Sequence, residues 1–108
     1  MSLVENLEAL LAKGQDSALL RYSLGNAYLD QGQLQPAITH FSQAVQLDPQ
    51  YSSAWKQYGK ALTQAGQAAE AIEVYRKGIQ VAEANGDKQA AKEMQVFHKR
   101  LLQQTQQQ

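Results

Sequence analysis

One segment of the chain repeats at an interval of 34 residues, and this repeat limits the possible folds more than any other feature. Residues 53–81 match residues 19–47 mainly at small and apolar positions, which are the positions that decide how helices pack. In this alignment Gly59 corresponds to Gly25. A period of this length is typical of stacked helical hairpins, with one hairpin in each unit. The repeat therefore predicts an all-α protein built from antiparallel helix pairs.

The length and composition of the chain agree with one helical domain. A chain of 108 residues has the usual size of a single domain, and we expect residues 1–108 to form one. Gln and Ala are abundant and β-branched residues are few, which favours helix. The ten Lys and Arg residues balance the ten Asp and Glu residues, so no overall charge attracts nucleic acid or an anionic membrane surface. We therefore expect neither nucleic acid nor a membrane among the partners.

The sequence also leads to an expectation about the compartment. There is no cysteine, which excludes disulfides and thiolate chemistry and agrees with a reducing environment. The first residues include Glu5 and Glu8 but no basic cluster, which is unlike a signal peptide. No apolar run approaches the length that crosses a membrane. These features predict a cytoplasmic protein.

Apolar residues at helical spacing, separated by glycines and prolines, divide the chain into six predicted helices. The first carries a stripe of Leu3, Leu7 and Leu10 and resembles the second half of a unit whose first half is missing. Two complete units follow, and a last helix with one apolar and one charged side covers the open end of the stack. The predicted helices span 3–13, 18–31, 36–47, 53–65, 69–85 and 88–103. The predicted parts are a half-unit helix (3–14), unit 1 (18–51), unit 2 (52–85), a capping helix (87–103) and a disordered tail (104–108).

Particular residues are placed to begin and end these helices. Pro49 closes unit 1, because proline disfavours helix at the residue before it. Glu83 takes the equivalent place in unit 2, so the return helix of that unit is predicted to run on to Asn85 and Gly86. Side-chain oxygens near predicted helix starts can bind free backbone N–H groups, and the candidates are Asp16, Ser17, Ser52, Ser53 and Asp87.

Two glycines lie in the middle of predicted helices. Gly25 and Gly59 each cost about 1 kcal/mol relative to alanine at such a position. The same penalty at the same repeat position indicates that a neighbouring helix approaches too closely for a Cβ atom. We therefore expect tight helix contacts at both glycines.

The residues at equivalent positions of the two units follow one pattern. In the first unit they are Gly25, Tyr28, Gly32, Ala37, Phe41, Ala44 and Pro49, and in the second Trp55, Gly59, Ala61, Gly66, Ala71 and Tyr75. This pattern resembles the tetratricopeptide repeat (TPR) family over about residues 18–85. Three departures are expected to loosen local packing or to lengthen a helix: Arg21 in place of tryptophan, Gly78 in place of alanine and Glu83 in place of proline.

The resemblance implies a right-handed superhelix of antiparallel helices and no catalysis. In this family the concave face, lined by the first helix of each unit, commonly holds an extended peptide or a helix of a partner protein. The sequence has no nucleophile paired with a base, no phosphate-binding loop and no metal-ligand spacing. His40 is expected to be an exposed residue of a return helix, and His98 a residue of the capping helix. We therefore expect no enzyme activity, no catalytic residue, no metal site and no cofactor.

The first helix of each unit leaves several side chains for the concave face. Lys56 and Lys60 lie four residues apart, and unpaired like charges at this spacing cost about a few tenths of a kcal/mol, which an acidic ligand would relieve. Tyr22 and Asn26 hold the equivalent positions and offer flat contact area and a hydrogen-bonding amide. The alternative is an ordinary solvated helix face. The predicted groove residues are Leu19, Tyr22, Asn26, Leu29, Ser53, Lys56, Gln57, Lys60 and Thr63.

One type of ligand that some TPR domains bind, the C-terminal tail of a chaperone, does not match the residues of this sequence. TPR domains that bind chaperone tails hold a terminal carboxylate with a lysine and an asparagine in one unit, an asparagine in the next, and two basic residues in a third. Asn26 matches the first asparagine, but Tyr22 replaces the lysine and Gln57 replaces the second asparagine. The last helix offers Asp87 and Ala90 where basic residues are needed. This carboxylate-binding set is therefore incomplete.

Two hypotheses for the function remain open at this point. The first is an adaptor or scaffold module that binds a peptide or helix of a partner protein in the concave groove. The second is a self-associating structural unit whose terminal helices pair with another copy to give a homodimer. In that case Leu3, Leu7 and Leu10 of the half-unit helix would supply the contact.

Overall fold

The computed structural model of the chain describes residues 2–106. These residues form six α-helices and no strand, which confirms the all-α prediction. Each helix begins and ends within three residues of its predicted bounds. The helices are α1 (Leu3–Ala12), α2 (Ala18–Asp30), α3 (Leu34–Leu47), α4 (Ser52–Gln64), α5 (Ala68–Asn85) and α6 (Lys88–Gln106).

The helices pack in the order of the chain. Helix α2 pairs with α3 and α4 pairs with α5, while α1 packs on α2 and α6 packs on α5. The first helices of the two units, α2 and α4, also approach one another, and α4 approaches the last helix, α6, in the same way. Within the described part of the chain, α3 and α5 make no such backbone approach. The stack is therefore a curved helical-repeat superhelix with α2, α4 and α6 on its inner side.

The close approach predicted at the two mid-helix glycines is confirmed. A Cβ atom built on Gly25 would lie 2.5 Å from the Phe41 ring, and one on Gly59 would lie 2.4 Å from the Tyr75 ring. The approaching group is thus an aromatic ring of the return helix. Phe41 and Tyr75 are almost completely buried, so a side chain at either glycine would have to displace a packed ring.

Gly78 does not loosen the packing as expected. A Cβ atom at this position would lie 2.6 Å from the Met94 sulfur and 2.9 Å from the Trp55 Cβ. The missing side chain therefore lets α6 pack closely on α5, with Met94 completely buried between them.

The helix starts agree in part with the sequence prediction. Ser17 caps α2 by accepting from the Leu20 N–H, and Asp87 accepts from the Ala90 N–H at the start of α6. Ser52 was wrongly predicted as a possible cap. It is the first residue of α4, and its hydroxyl donates to the Asp87 carboxylate at 2.8 Å. This hydrogen bond holds the pKa of Asp87 below its ordinary value and joins the starts of α4 and α6.

His40 is buried, which corrects the expectation that it is exposed. Its ring stacks on the Tyr28 ring at 5.5 Å, and its Nε2 lies 3.3 Å from the Glu8 carboxylate. Its Nδ1 lies 3.2 Å from the guanidinium of Arg21, which also binds Asp16. The sequence pattern could not reveal this cluster, because Arg21 occupies the position at which unit 2 has an apolar residue, Trp55. Burial lowers the pKa of His40, and the hydrogen bond from Arg21 lowers the pKa of Asp16.

The tail prediction was wrong for residues 104–106, which continue α6. Glutamine is a good helix former, so a glutamine-rich segment extends a helix that is already nucleated. The hydroxyl of Thr105 also donates to the Leu102 carbonyl oxygen, which removes a polar group from competition with the backbone. Residues 107 and 108 lie outside the described residues.

Candidate functional site

A pocket of about 300 Å³ opens on the inner side of the stack between α4 and α6. We call it the α4–α6 pocket. One wall comes from α4 and the other from α6, and Tyr75 of α5 closes the bottom. The lining residues are Lys56, Gln57, Lys60, Thr63, Gln64, Tyr75, Phe97, Arg100, Leu101 and Gln104.

The floor of the α4–α6 pocket is apolar and aromatic. The rings of Tyr75 and Phe97 lie 5.8 Å apart and are tilted by 38°. Leu101 is buried beside them. Burial raises the pKa of Tyr75, so its hydroxyl stays neutral at ordinary pH. These three side chains are fixed by the core of the protein, and the floor therefore exists before any ligand arrives.

The rim of the α4–α6 pocket is basic. Among the described residues that line it, three are basic and none is acidic. Lys60 and Arg100 are exposed on facing helices, and neither forms an ion pair with another described residue. The Arg100 guanidinium carbon lies 5.9 Å from the centre of the Phe97 ring, close enough for a cation–π contact.

Lys56 differs from the other two basic residues of the rim. Its ammonium group lies 3.1 Å from the carboxylate of Glu93, so it links α4 to α6. The prediction that Lys56 and Lys60 are both unpaired is therefore wrong, because Glu93 neutralises Lys56. Sequence spacing showed that the lysines were neighbours, but it could not show that an acidic residue 37 positions later would reach one of them.

The structure brings four of the nine predicted groove residues to the α4–α6 pocket: Lys56, Gln57, Lys60 and Thr63. Ser53 instead lines a smaller depression of about 230 Å³ near the starts of α4 and α6. The Asn26 carbonyl accepts a hydrogen bond from the Gln57 amide at 2.8 Å, so these two amides bind each other across α2 and α4.

The remaining three predicted groove residues lie away from the α4–α6 pocket. Tyr22 is half-buried against Tyr51, with ring centres 4.9 Å apart. Leu29 is half-buried against the apolar cluster that includes Phe41. Leu19 is 65% exposed near the start of α2. On α2 the inner side is therefore partly filled by its own packing, and the open part of the groove lies farther along the stack.

The pocket residues contributed by α5 and α6 were missing from the sequence prediction. A shift of 34 residues from Lys60 leads to Met94, but Met94 is completely buried. The reason is that α5 has 18 residues whereas α3 has 14, which displaces the sequence of α6 relative to α4. The absence of a proline at Glu83 already predicted this longer helix.

The described residues offer neither a cluster of metal ligands nor a membrane-spanning helix. Residues 2–106 contain no group of three potential metal ligands. In that same part of the chain, no helix combines the length and the apolar character needed to cross a bilayer.

Comparison with known proteins shows one consistent set of relatives. A family model described as tetratricopeptide repeat matches residues 4–52 and 22–90. A TPR repeat-containing protein of Pseudomonas aeruginosa is 48% identical over 99 residues, which are 92% of this chain and 94% of that protein. A protein of Bordetella parapertussis, with a structure determined in solution, superposes with a TM-score of 0.82 at 41% identity, covering 96% of this chain and 90% of that one. The Sgt2 TPR domain of Aspergillus fumigatus superposes with a TM-score of 0.82 at 27% identity, covering 97% of this chain and 69% of that one.

Proposed function

Because this chain belongs to the tetratricopeptide repeat family, we propose that it is a cytoplasmic protein-interaction module whose α4–α6 pocket holds a segment of a partner protein. Proteins of this family generally act by binding other proteins. The observation that carries the proposal is the pocket itself, which combines an aromatic floor with an open polar rim on the inner side of the stack.

The dimensions of the α4–α6 pocket favour a protein segment over a small molecule. Small-molecule sites usually enclose about 300–1,000 Å³ and surround most of the ligand. This pocket lies at the lower limit of that range and is open along the groove between α4 and α6. It has room for one or two large side chains, while the rest of a bound segment would lie across the rim. Aromatic floors of this kind often supply most of the energy of a protein interface.

Blocking the pocket tests this proposal. Gln104 lines the α4–α6 pocket and is exposed, so Gln104→Trp should fill the opening without disturbing the core. Gln103 is also exposed but does not line the pocket, so Gln103→Trp is the matched control. We expect partner capture from the source cells to be lost with Gln104→Trp and retained with Gln103→Trp. Equal capture by both variants would contradict the assignment of the pocket.

Charge reversal at Lys56 is a poor probe of the same question. Lys56→Glu would place a carboxylate beside Glu93 and would remove the ion pair that links α4 to α6. A loss of binding would then report altered packing as well as altered recognition. Lys60 is the better choice on α4, because it is exposed and forms no ion pair with any other residue of the range 2–106.

Self-association through α1 is a second candidate function, and one observation favours it. Leu3 and Leu10 of α1 are 62% and 37% exposed. The equivalent residues of α3, Ala37 and Ala44, are completely buried, because the first helix of their unit covers them. Helix α1 therefore exposes an apolar face that an antiparallel helix from another copy could cover.

The concentration dependence of the molecular mass tests this second candidate. Sedimentation equilibrium over a wide concentration range should show a monomer–dimer transition for the unmodified protein. Leu3→Gln combined with Leu10→Gln should remove that transition, since Leu3 is 62% and Leu10 37% exposed and neither belongs to the buried core. A protein that remains monomeric at every concentration would exclude self-association.

A further inference from the structure

Resting on the proposed function, we infer that the α4–α6 pocket selects an internal segment that is both acidic and apolar. In such a segment a large apolar side chain would lie on Tyr75 and Phe97, and flanking Asp or Glu side chains would bind Lys60 and Arg100. The juxtaposition that carries this inference is an aromatic floor between two basic side chains on facing helices.

The positive charge of the rim is local. The whole chain carries ten basic and ten acidic residues, so a general excess of positive charge cannot account for it. Lys56, Lys60 and Arg100 nevertheless line one pocket, and no acidic residue within the described chain lines it with them. Of the three, only Lys56 has an acidic partner in that range, Glu93. Two positive charges are thus left for a ligand.

Lys60 and Arg100 would recognise carboxylates in complementary ways. Arg100 presents a planar guanidinium that can bind both oxygens of one carboxylate, whereas the Lys60 ammonium acts as a flexible point charge. The cation–π position of Arg100 over Phe97 keeps its charge beside the apolar floor. A carboxylate bound there is partly removed from water, which strengthens its attraction to the guanidinium. A ligand with adjacent apolar and acidic side chains satisfies both parts of the pocket.

The hydrogen bonding of α2 favours side-chain carboxylates over the terminal carboxylate of a chain. Capture of a chain terminus needs fixed amide or backbone donors in addition to charge. The Gln57 amide, which lines the pocket, commits one of its two N–H donors to Asn26, and the other lining amides, Gln64 and Gln104, are exposed and held by no hydrogen bond to the described residues. Asn26 itself lies outside the pocket lining. We therefore assign the carboxylates to Asp or Glu side chains within a chain.

Selection from a random library of 12-residue peptides displayed on phage tests the inference with no prior ligand. The unmodified protein is the bait, and the enriched peptides are then synthesised with amidated ends and with free C-termini. Binding is measured by fluorescence anisotropy against the unmodified protein, Lys60→Glu with Arg100→Glu, and Gln104→Trp. Lys92→Glu with Lys99→Glu is the matched control, because it makes the same change in net charge at exposed positions of α6 outside the pocket.

The expected result has three parts. Enriched peptides should combine an aromatic or large aliphatic residue with nearby Asp or Glu, and they should bind equally well with amidated ends. The Lys60→Glu, Arg100→Glu variant should bind at least about tenfold more weakly, because two charge-assisted contacts become repulsive. The Lys92→Glu, Lys99→Glu control should change affinity by less than about threefold, since exposed charges at a distance are screened by salt. Thermal melts of both charge variants would establish that they remain folded.

Other outcomes would separate the inference from the proposed function. The inference would be overturned if the binding of the selected peptides were blocked by Gln104→Trp but the peptides lacked acidic residues. It would also be overturned if their binding required a free C-terminus. In both cases the pocket would remain a binding site. The same conclusion would follow if both charge variants weakened binding equally. If no selected peptide were affected by Gln104→Trp, both the inference and the proposed function would be wrong.

Discussion

At the scale of single residues, the packing inside each unit depends on a glycine that lies against an aromatic ring. Gly25 faces Phe41 in unit 1, and Gly59 faces Tyr75 in unit 2. Tyr75 also forms the bottom of the α4–α6 pocket. The glycine at position 59 therefore contacts a ring that belongs both to the packing of α4 on α5 and to the pocket floor.

Enlarging this glycine should destabilise the protein even though glycine is a poor helix former. For Gly59→Leu we expect a loss of roughly 1–3 kcal/mol or more in the free energy of unfolding, because the new side chain would have to displace the buried Tyr75 ring. Ala84→Leu is the control, since Ala84 is exposed on α5 and should change stability by less than about 0.5 kcal/mol. Urea unfolding followed by circular dichroism measures both. A Gly59→Leu variant as stable as the unmodified protein would contradict the packing of α4 on α5.

The residues that could be predicted from the sequence are those whose role repeats with the period. The close contacts predicted at Gly25 and Gly59 were confirmed, because the same residue at the same position of two units meets the same kind of neighbour. Ser52 and Lys56 were misjudged because their partners lie outside the repeat pattern, and His40 was misjudged because its partner Arg21 departs from that pattern. Ser52 binds Asp87 and Lys56 binds Glu93, and both acceptors belong to a capping helix whose register the period does not determine.

At the scale of helices, α1 is attached differently from the others. None of its residues is buried. Its Glu8 carboxylate accepts a hydrogen bond from the Tyr28 hydroxyl at 3.0 Å and lies beside His40. Arginine can only donate, so the Nδ1 of His40 accepts from Arg21 and its Nε2–H faces Glu8. The contact of Nδ1 with Arg21 therefore requires the neutral form of His40, whereas its Nε2–H can donate to Glu8 of α1 in either form.

Stability should depend on pH through His40. Burial lowers the pKa of His40, an effect that the nearby Glu8 opposes without reversing it. The unfolded chain then binds more protons than the folded protein below the ordinary histidine pKa of about 6.5. The contribution is fully present above that pH and is lost as the pH falls through it toward the lowered pKa. The lowered pKa values of Asp16 and Asp87 act only in more acidic solution.

Thermal unfolding at pH 7.5 and pH 5.5 measures this dependence. His40→Gln is the comparison, because glutamine keeps one acceptor for Arg21 and one donor for Glu8 but does not titrate. We expect the unmodified protein to lose more stability between these two pH values than His40→Gln does. Equal losses would mean that the titration of His40 does not contribute to the pH dependence of stability.

At the scale of the whole molecule, the two ends of the stack are unequal. Helix α6 buries Ala90, Ala91, Met94 and Leu101 and keeps its charged side toward the solvent. No residue of helix α1 is fully buried, and its Leu3 and Leu10 are exposed. The overall arrangement of helices followed from the repeat alone. The position of the pocket did not, since it depends on how far the longer α5 carries the chain before α6 begins.

Truncation of either end should therefore have different consequences. Deleting residues 88–108 removes Met94 and Leu101 from the core, and burying each such side chain contributes about 1.5–3 kcal/mol. The expected loss of roughly 3–6 kcal/mol is comparable with the total stability of a small domain, so this variant should be largely unfolded. Deleting residues 1–13 should lower the midpoint of thermal unfolding by only about a few degrees, since no buried side chain is lost. Circular dichroism during thermal unfolding compares the helicity and cooperativity of the two truncated proteins. Similar losses in both would show that α1 supports the stack as much as α6 does.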